Sequence, residues 1–115
     1  MKLSHWQQQQ QPRIERELTR VTEALRRLGA QRVVVFGSHA RGDFHEGSDV
    51  DLLVVLDTDQ RFVERIERVL EVLDSEMSIQ PLVYTPEELQ RLRADGNALM
   101  EMIDREGRVL YDSAN

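Results

Sequence analysis

Two short groups of residues within the stretch 36–56, FGSHARGDFHEGSDVDLLVVL, have types and spacing suited to phosphate chemistry. Gly37 and Ser38 fall where an apolar, β-branched run (RVVVF) gives way to a short helical segment. A strand-to-helix turn exposes backbone N–H groups, and a helix N-terminus favours anions. A glycine there lets a phosphate approach the backbone, and the Ser38 hydroxyl can bond a phosphate oxygen. Arg41, about one turn later, is placed to neutralise phosphate charge, and Gly42 ends the segment. A Gly-Ser pair after a strand is, taken alone, more often just a turn.

Asp49 and Asp51 add a second signal. Alternate residues of a strand share a face and stand about 7 Å apart along it. Both carboxylates enter an apolar strand, LLVVL, and on one face they repel each other unless a cation sits between them. Oxygen donors at that spacing suit Mg²⁺ (or Mn²⁺), which also takes phosphate oxygens and water and can clamp the attacking and leaving oxygens of a phosphoryl transfer. Alone, Asp-x-Asp reads equally well as a solvated strand entry after the turn Glu46-Gly47-Ser48. Gly-Ser, ten intervening residues and Asp-x-Asp in one chain is a rarer coincidence, on the order of one chain in a thousand of this length.

The elements that must position these residues are visible as periodicity. Residues 1–11, with a glutamine run at 7–11 and an isolated Trp6, read as a disordered polar leader, and residues 12–115 as one domain. Pro12 suits the first turn of a helix. Ile14, Leu18, Val21, Leu25 and Leu28 then form one apolar stripe, closed by Gly29. Strands are expected over residues 32–36, 50–56 and 77–84. The second is apolar on both faces and therefore central; Pro81 makes the third an edge or marks a bulge. A helix is expected over 59–73 with Phe62, Ile66, Val69 and Leu73 on one face. Thr85-Pro86-Glu87-Glu88 is a capping box opening another helix to about residue 94. A short helix ended by Gly107 and a terminal strand over 108–111 complete an α/β arrangement: a small mixed β-sheet with about four flanking α-helices.

Bulk properties bound the rest. A chain of 115 residues suits one domain. The absence of cysteine excludes a disulfide scaffold, a thiolate zinc site and a thiol nucleophile. No apolar run approaches the roughly 18 residues of a membrane span, and the first residues carry no signal-peptide pattern, so a cytoplasmic location is the default expectation. A net charge of −6 and a pI near 5.0 argue against gripping duplex nucleic acid, though not against a nucleotide, because bound metal reverses the local charge. Lys2 is the only lysine; arginine favours forked contacts to phosphate, with genomic base composition the plainer explanation. His39 and His45 flank the motif without metal-ligand spacing and read as solvated loop residues. Met77, Met100 and Met102 read as gap-fillers in the core or an interface.

The sequence resembles the DNA polymerase beta nucleotidyltransferase superfamily, and more narrowly its minimal nucleotidyltransferase (MNT) group, which includes MntA-type antitoxins. The matching residues are Gly37, Ser38, Ala40, Arg41 and Gly42, then Gly47, Ser48, Asp49 and Asp51, with PLVYTPEEL (81–89) and REGRVLY (105–111) in support. The resemblance implies a nucleotidyltransferase fold, with Asp49 and Asp51 as catalytic and metal-holding residues and Gly37, Ser38, Arg41 and Ser48 binding the nucleotide. It implies ATP as substrate, Mg²⁺ (or Mn²⁺) as cofactor, and AMP transfer to a tyrosine of a helical HEPN toxin as the antitoxin activity. A homo-oligomer stays open. One departure stands out: relatives often carry a third carboxylate on the next strand, and the matching position here is Gln80. An amide cannot accept a proton. Ser78 is no better placed, and Glu76 or Asp74 could substitute only if that strand starts early. Two alternatives follow. One is a nucleotidyltransferase-fold antitoxin that neutralises its partner by binding. The other is nucleotidyl transfer to a small molecule with a partner subunit.

Overall fold

The structure, a computed structural model, describes residues 3–114; Met1 and Lys2 of the expected leader, and Asn115, lie outside the described residues. An apolar stripe at helical spacing needs a helix to carry it, and α1 (His5–Leu28) buries Ile14, Leu18, Val21 and Leu25 along one side. Gly29 ends α1 in the left-handed region, with φ of 111°. The helix begins well before Pro12, so the disordered leader expected over residues 1–11 is corrected: from Ser4 on, that segment is an ordered helix start. A reciprocal cap explains it. The Ser4 hydroxyl accepts from the Gln7 N–H at 3.2 Å, and the Gln7 side chain accepts from the Ser4 N–H at 2.7 Å, which satisfies two donors that a helix start leaves open. The Gln7 amide also donates to the carbonyls of Gly42 (3.0 Å) and Phe44 (2.7 Å), and Trp6 packs on Phe44 with ring centroids 6.0 Å apart. Pro12 therefore lies inside the helix, where its missing N–H costs about 3 kcal/mol, offset by these long-range contacts.

Four strands of the described residues form one sheet: β1 (Arg32–Phe36), β2 (Val50–Val55), β3 (Ile79–Tyr84) and β4 (Arg108–Asp112), in the order β3-β2-β1-β4. β2 runs antiparallel to β1 and parallel to β3, and β1 is antiparallel to β4. The two central strands are the two most apolar ones, as expected of strands covered on both faces. β3 lies at an edge, where the donor that Pro81 lacks is tolerated. Among the described residues, five helices accompany the sheet: α1, the single short α2 (Ser38–Arg41), α3 (Phe62–Leu73), α4 (Pro86–Ala94) and α5 (Ala98–Glu106). This is the mixed α/β architecture expected from the sequence, with α2 as one turn at the sheet's end and four helices flanking.

Alternation along the central strands feeds two cores. Val33, Val35, Val50, Leu52 and Val54 pack with the stripe of α1 and with Val69 and Leu73 of α3. Val34, Phe36, Leu53 and Val55 pack with Leu89 of α4 and with Met100 and Ile103 of α5. α3 starts at Phe62 and carries its expected stripe, with Val69 and Leu73 buried, Ile66 packed against the same core and Phe62 against Tyr84; Arg65 is buried as well. Arg65 is buried because every polar contact it needs is present. Its guanidinium donates to Glu88 at 2.6 and 3.3 Å and to the carbonyls of Gln60 (2.7 Å) and Val83 (3.3 Å). Glu88 closes the capping box of α4 with Thr85, so one ion pair ties α3, the end of β3 and the start of α4 together.

α1 is tied to the end of α3 by a second network. Arg20 donates to Glu17 at 2.6 and 2.9 Å and to the Leu73 carbonyl at 2.9 Å, while the Ser75 hydroxyl donates to Glu17 at 2.6 Å. The Glu17 carboxyl is held at about 2, below its ordinary 4.5, first by Arg20 and also by Ser75, against the opposing pull of burial. A carboxyl with a depressed value in the fold stabilises it above the ordinary value, and the effect is lost as pH falls toward the folded one. Glu17→Gln is therefore expected to melt below the parent at pH 7 in thermal denaturation. The gap should close between pH 4.5 and about 2; a gap unchanged across that window would show that Glu17 contributes through packing rather than charge.

Candidate active site

β1 ends at Phe36, and Phe36 pairs with Asp51 across the antiparallel ladder to β2. The next residue must turn sharply over that carboxylate. It is Gly37, buried, with φ of 73° and ψ of −150°, a conformation open to glycine and strained for other residues. A side chain at 37 would also run into the Asp51 carboxylate. Two separate constraints thus demand glycine, and both come from the same neighbour. α2 starts directly after the turn, and its first N–H groups have no acceptor within the helix.

Gly37, Ser38, Arg41, Ser48, Asp49 and Asp51, the six residues singled out from the sequence, line one open cavity of about 550 Å³. Phe36, Asp43, His45 and Met102 complete its walls, and these four were not anticipated as site residues. The methionine comes from α5, far along the chain, and no local pattern could have announced it. Asp43 is different: it stands two residues after Arg41 and accepts from its guanidinium at 3.2 Å. Glu106 of α5 lies 3.7 Å from the same guanidinium. Arg41 is thus held between two carboxylates, with N–H donors of its guanidinium left over for a phosphate. Ser48 also has a structural task, since its hydroxyl accepts from the His45 N–H at 2.9 Å; the hydroxyl proton is left to donate.

Asp51 is half-buried and Asp49 exposed. Burial pushes the Asp51 carboxyl above its ordinary 3.8, and the charge of Asp49 pushes it further. The charge of Asp49 opposes the ionisation of Asp51 in this cavity, and a divalent cation between them would remove that conflict. The donor set fits Mg²⁺, which binds one or two carboxylates and fills its remaining positions with water and phosphate oxygens. Among the described residues, no cluster of three acidic or histidine side chains forms a metal cage. Gln80, the position matched to a third carboxylate, pairs with Asp51 across β2–β3 and is exposed, outside the walls of the cavity. Glu76 and Asp74 do not substitute. Glu76 faces solvent and lies 3.9 Å from Arg13, while Asp74 caps α3. His39 is corrected from a solvated loop residue: it is half-buried and stacked on Phe44, with centroids 4.7 Å apart and planes at 11°. Burial pushes its imidazole below the ordinary value. His45 is exposed, as expected.

Residues 18–110 match the family of nucleotidyltransferase domains. The chain belongs to that family. This nucleotidyltransferase-family chain is 33% identical over 81 residues to a candidate protein adenylyltransferase of Methanocaldococcus jannaschii, covering 70% of the chain and 78% of that protein. A second candidate protein adenylyltransferase of the same organism is 34% identical over 58 residues, 46% of the chain and 58% of that relative. Among solved structures, a candidate nucleotidyltransferase from Sulfolobus solfataricus shares the fold with a TM-score of 0.72 at 18% identity, over 100% of this chain and 95% of that one. A toxin–antitoxin structure with AMP-PNP matches with a TM-score of 0.56 at 21% identity, over 81% of this chain and 71% of that one. No helix among the described residues is long and apolar enough to cross a membrane.

The crowding of Gly37 and the charge conflict at Asp51 yield two expectations. Gly37→Ala should lose Mg-ATP binding by calorimetry. Gly47→Ala is the control: it shares a positive φ, at 85°, but a Cβ there meets nothing within 4 Å. Equal loss in both variants would assign the effect to backbone strain and not to the cavity. A raised carboxyl value means that the ionised form is disfavoured in the fold, so its contribution is favourable at low pH and is lost as pH rises through the raised value. Asp51→Asn is therefore expected to raise the metal-free melting temperature at pH 7 while losing metal-dependent ATP binding. A melting temperature that falls at pH 7 would refute the conflict.

Proposed function

We propose that the chain is a Mg²⁺-dependent nucleotidyltransferase that moves AMP from ATP to a hydroxyl, a tyrosine of a partner HEPN toxin, and so acts as an antitoxin. The observation that carries this reading is the placement of the Gly37-Ser38 turn directly over Asp51, with Asp49 beside it, in one open cavity. A phosphate-binding turn and a carboxylate pair in that relation suit a triphosphate whose α-phosphorus lies next to the acidic residues. Names attached to similar proteins support the direction: protein adenylyltransferase for the sequence relatives, and a toxin–antitoxin with AMP-PNP for one fold neighbour.

In this reading the Ser38 hydroxyl and the free N–H groups at the start of α2 hold the β- and γ-phosphates. Arg41, through its remaining N–H donors, offsets charge that develops on the transferring group. Asp49 and Asp51 would hold Mg²⁺, which would supply neutralisation of the phosphate oxygens. The acceptor oxygen forms a bond to the α-phosphorus as the bond to the bridging oxygen breaks, and pyrophosphate departs with that oxygen. The acceptor proton passes to solvent, because Gln80 offers no base. This same feature favours a second reading, in which the chain neutralises its partner by binding and transfers AMP slowly or not at all.

Incubation of the chain with a HEPN partner, Mg²⁺ and ATP, followed by intact-mass analysis, separates the two. AMP added to a partner tyrosine supports the transferase. Neutralisation that survives Asp49→Asn with Asp51→Asn, without any mass shift, supports binding alone. Gln80→Asp is expected to raise the transfer rate, by about 10²-fold or more if the new carboxylate acts as a base, and to make the melting temperature more dependent on Mg²⁺. A variant that changes neither would show that position 80 stands apart from the reacting atoms.

A further inference from the structure

A second cavity, of about 240 Å³, lies between α1 and the loop that joins α2 to β2. His45 and Ser48 line both this cavity and the larger one, so the two adjoin. Its apolar walls are Trp6, Ile14, Phe44 and Met77, and Gln10, Ser48 and Ser78 add polar groups. Phe44 is 3% exposed and Trp6 36% exposed, so one ring forms a buried wall and the other a lip open to solvent. Nothing in the proposed transfer chemistry uses this cavity. Trp6 also precedes residues 18–110, the part matched by the family.

We propose that this cavity seats the nucleobase of the nucleoside triphosphate whose phosphates lie at Gly37 and Ser38, with the Trp6 indole closing over the ring. The inference rests on the nucleotide reading above and adds to it the residues that hold the base. The volume is too small for a drug-sized ligand and suits one planar ring system. Aromatic side chains beside such a space gain from stacking on any base. The amide and two serines give the edge of a heterocycle hydrogen-bonding partners that a plain phenyl ring would leave unused. His45 and Ser48 form the wall that the two cavities share, against which the ribose would lie. Trp6 is held in advance: Gln7 bonds the Gly42 and Phe44 carbonyls, so little ordering remains when a ligand enters.

Trp6 is the only tryptophan, and its emission reports directly on this cavity. The full chain is titrated with Mg-ATP, with Mg-tripolyphosphate and with adenosine, following indole fluorescence and calorimetry in parallel. Mg-ATP is expected to change the emission at the affinity that calorimetry gives. Adenosine should do so at higher concentration, and tripolyphosphate should bind without changing it. Trp6→Ala should weaken Mg-ATP about fivefold or more while leaving tripolyphosphate affinity unchanged, and Trp6→Phe should recover most of the loss. If Mg-ATP binds with silent emission and with equal affinity in Trp6→Ala, the ring site is overturned and the phosphate site stands. An emission change with p-cresol but not with adenosine overturns the proposal in favour of an acceptor side chain. Failure of both Mg-ATP and tripolyphosphate to bind removes the nucleotide reading and this site together.

Discussion

The pairing of Phe36 with Asp51 across β1 and β2 is the rung on which the site depends. Both strands are buried on two faces, and each face belongs to a different core. A slip of one residue would exchange the two sets of side chains and drive Asp51 into the layer beneath α1 and α3, where a carboxylate has no partner. The register is therefore enforced by almost every apolar residue of the two strands. Given that register, Gly37 must pass over the Asp51 carboxylate, and the chain has one residue type that can do so.

The acidity of the surroundings sets the terms for any ligand. Asp43, Asp49 and Asp51 line the cavity with Arg41, and Glu106 stands against the same arginine. Negative side chains outnumber the single guanidinium, in keeping with a net charge of −6 for the chain. A triphosphate entering alone would meet repulsion from Asp49 and Asp51, which a cation arriving with it would offset.

What could be read in the sequence was what depends on neighbours in the sequence. The RVVVF run, the Gly-Ser turn, the Asp-x-Asp pair and the capping box at Thr85 are local, and each forms at the expected place. Position 80 was singled out through the resemblance, and parallel pairing sets it beside Asp51. The leader was misread because its order comes from carbonyls more than thirty residues away, at Gly42 and Phe44; composition alone cannot show a distant acceptor. Arg65 was invisible for the same reason, since its partner Glu88 sits on another helix. His39 looked solvated because its stack with Phe44 forms only once the chain reverses at Gly42.

The locality of the β1–β2 pair has a kinetic consequence. Gly37, Ser38, Asp49 and Asp51 all lie within one antiparallel connection, whose ends close at low entropic cost. The β1–β4 pairing instead joins Val33 to Tyr111, which lie far apart in the sequence. Contacts of short sequence separation form early in folding and distant ones late. During synthesis the reactive constellation can thus assemble before the last strand emerges, and closure by β4 afterwards adds stability to a geometry already set.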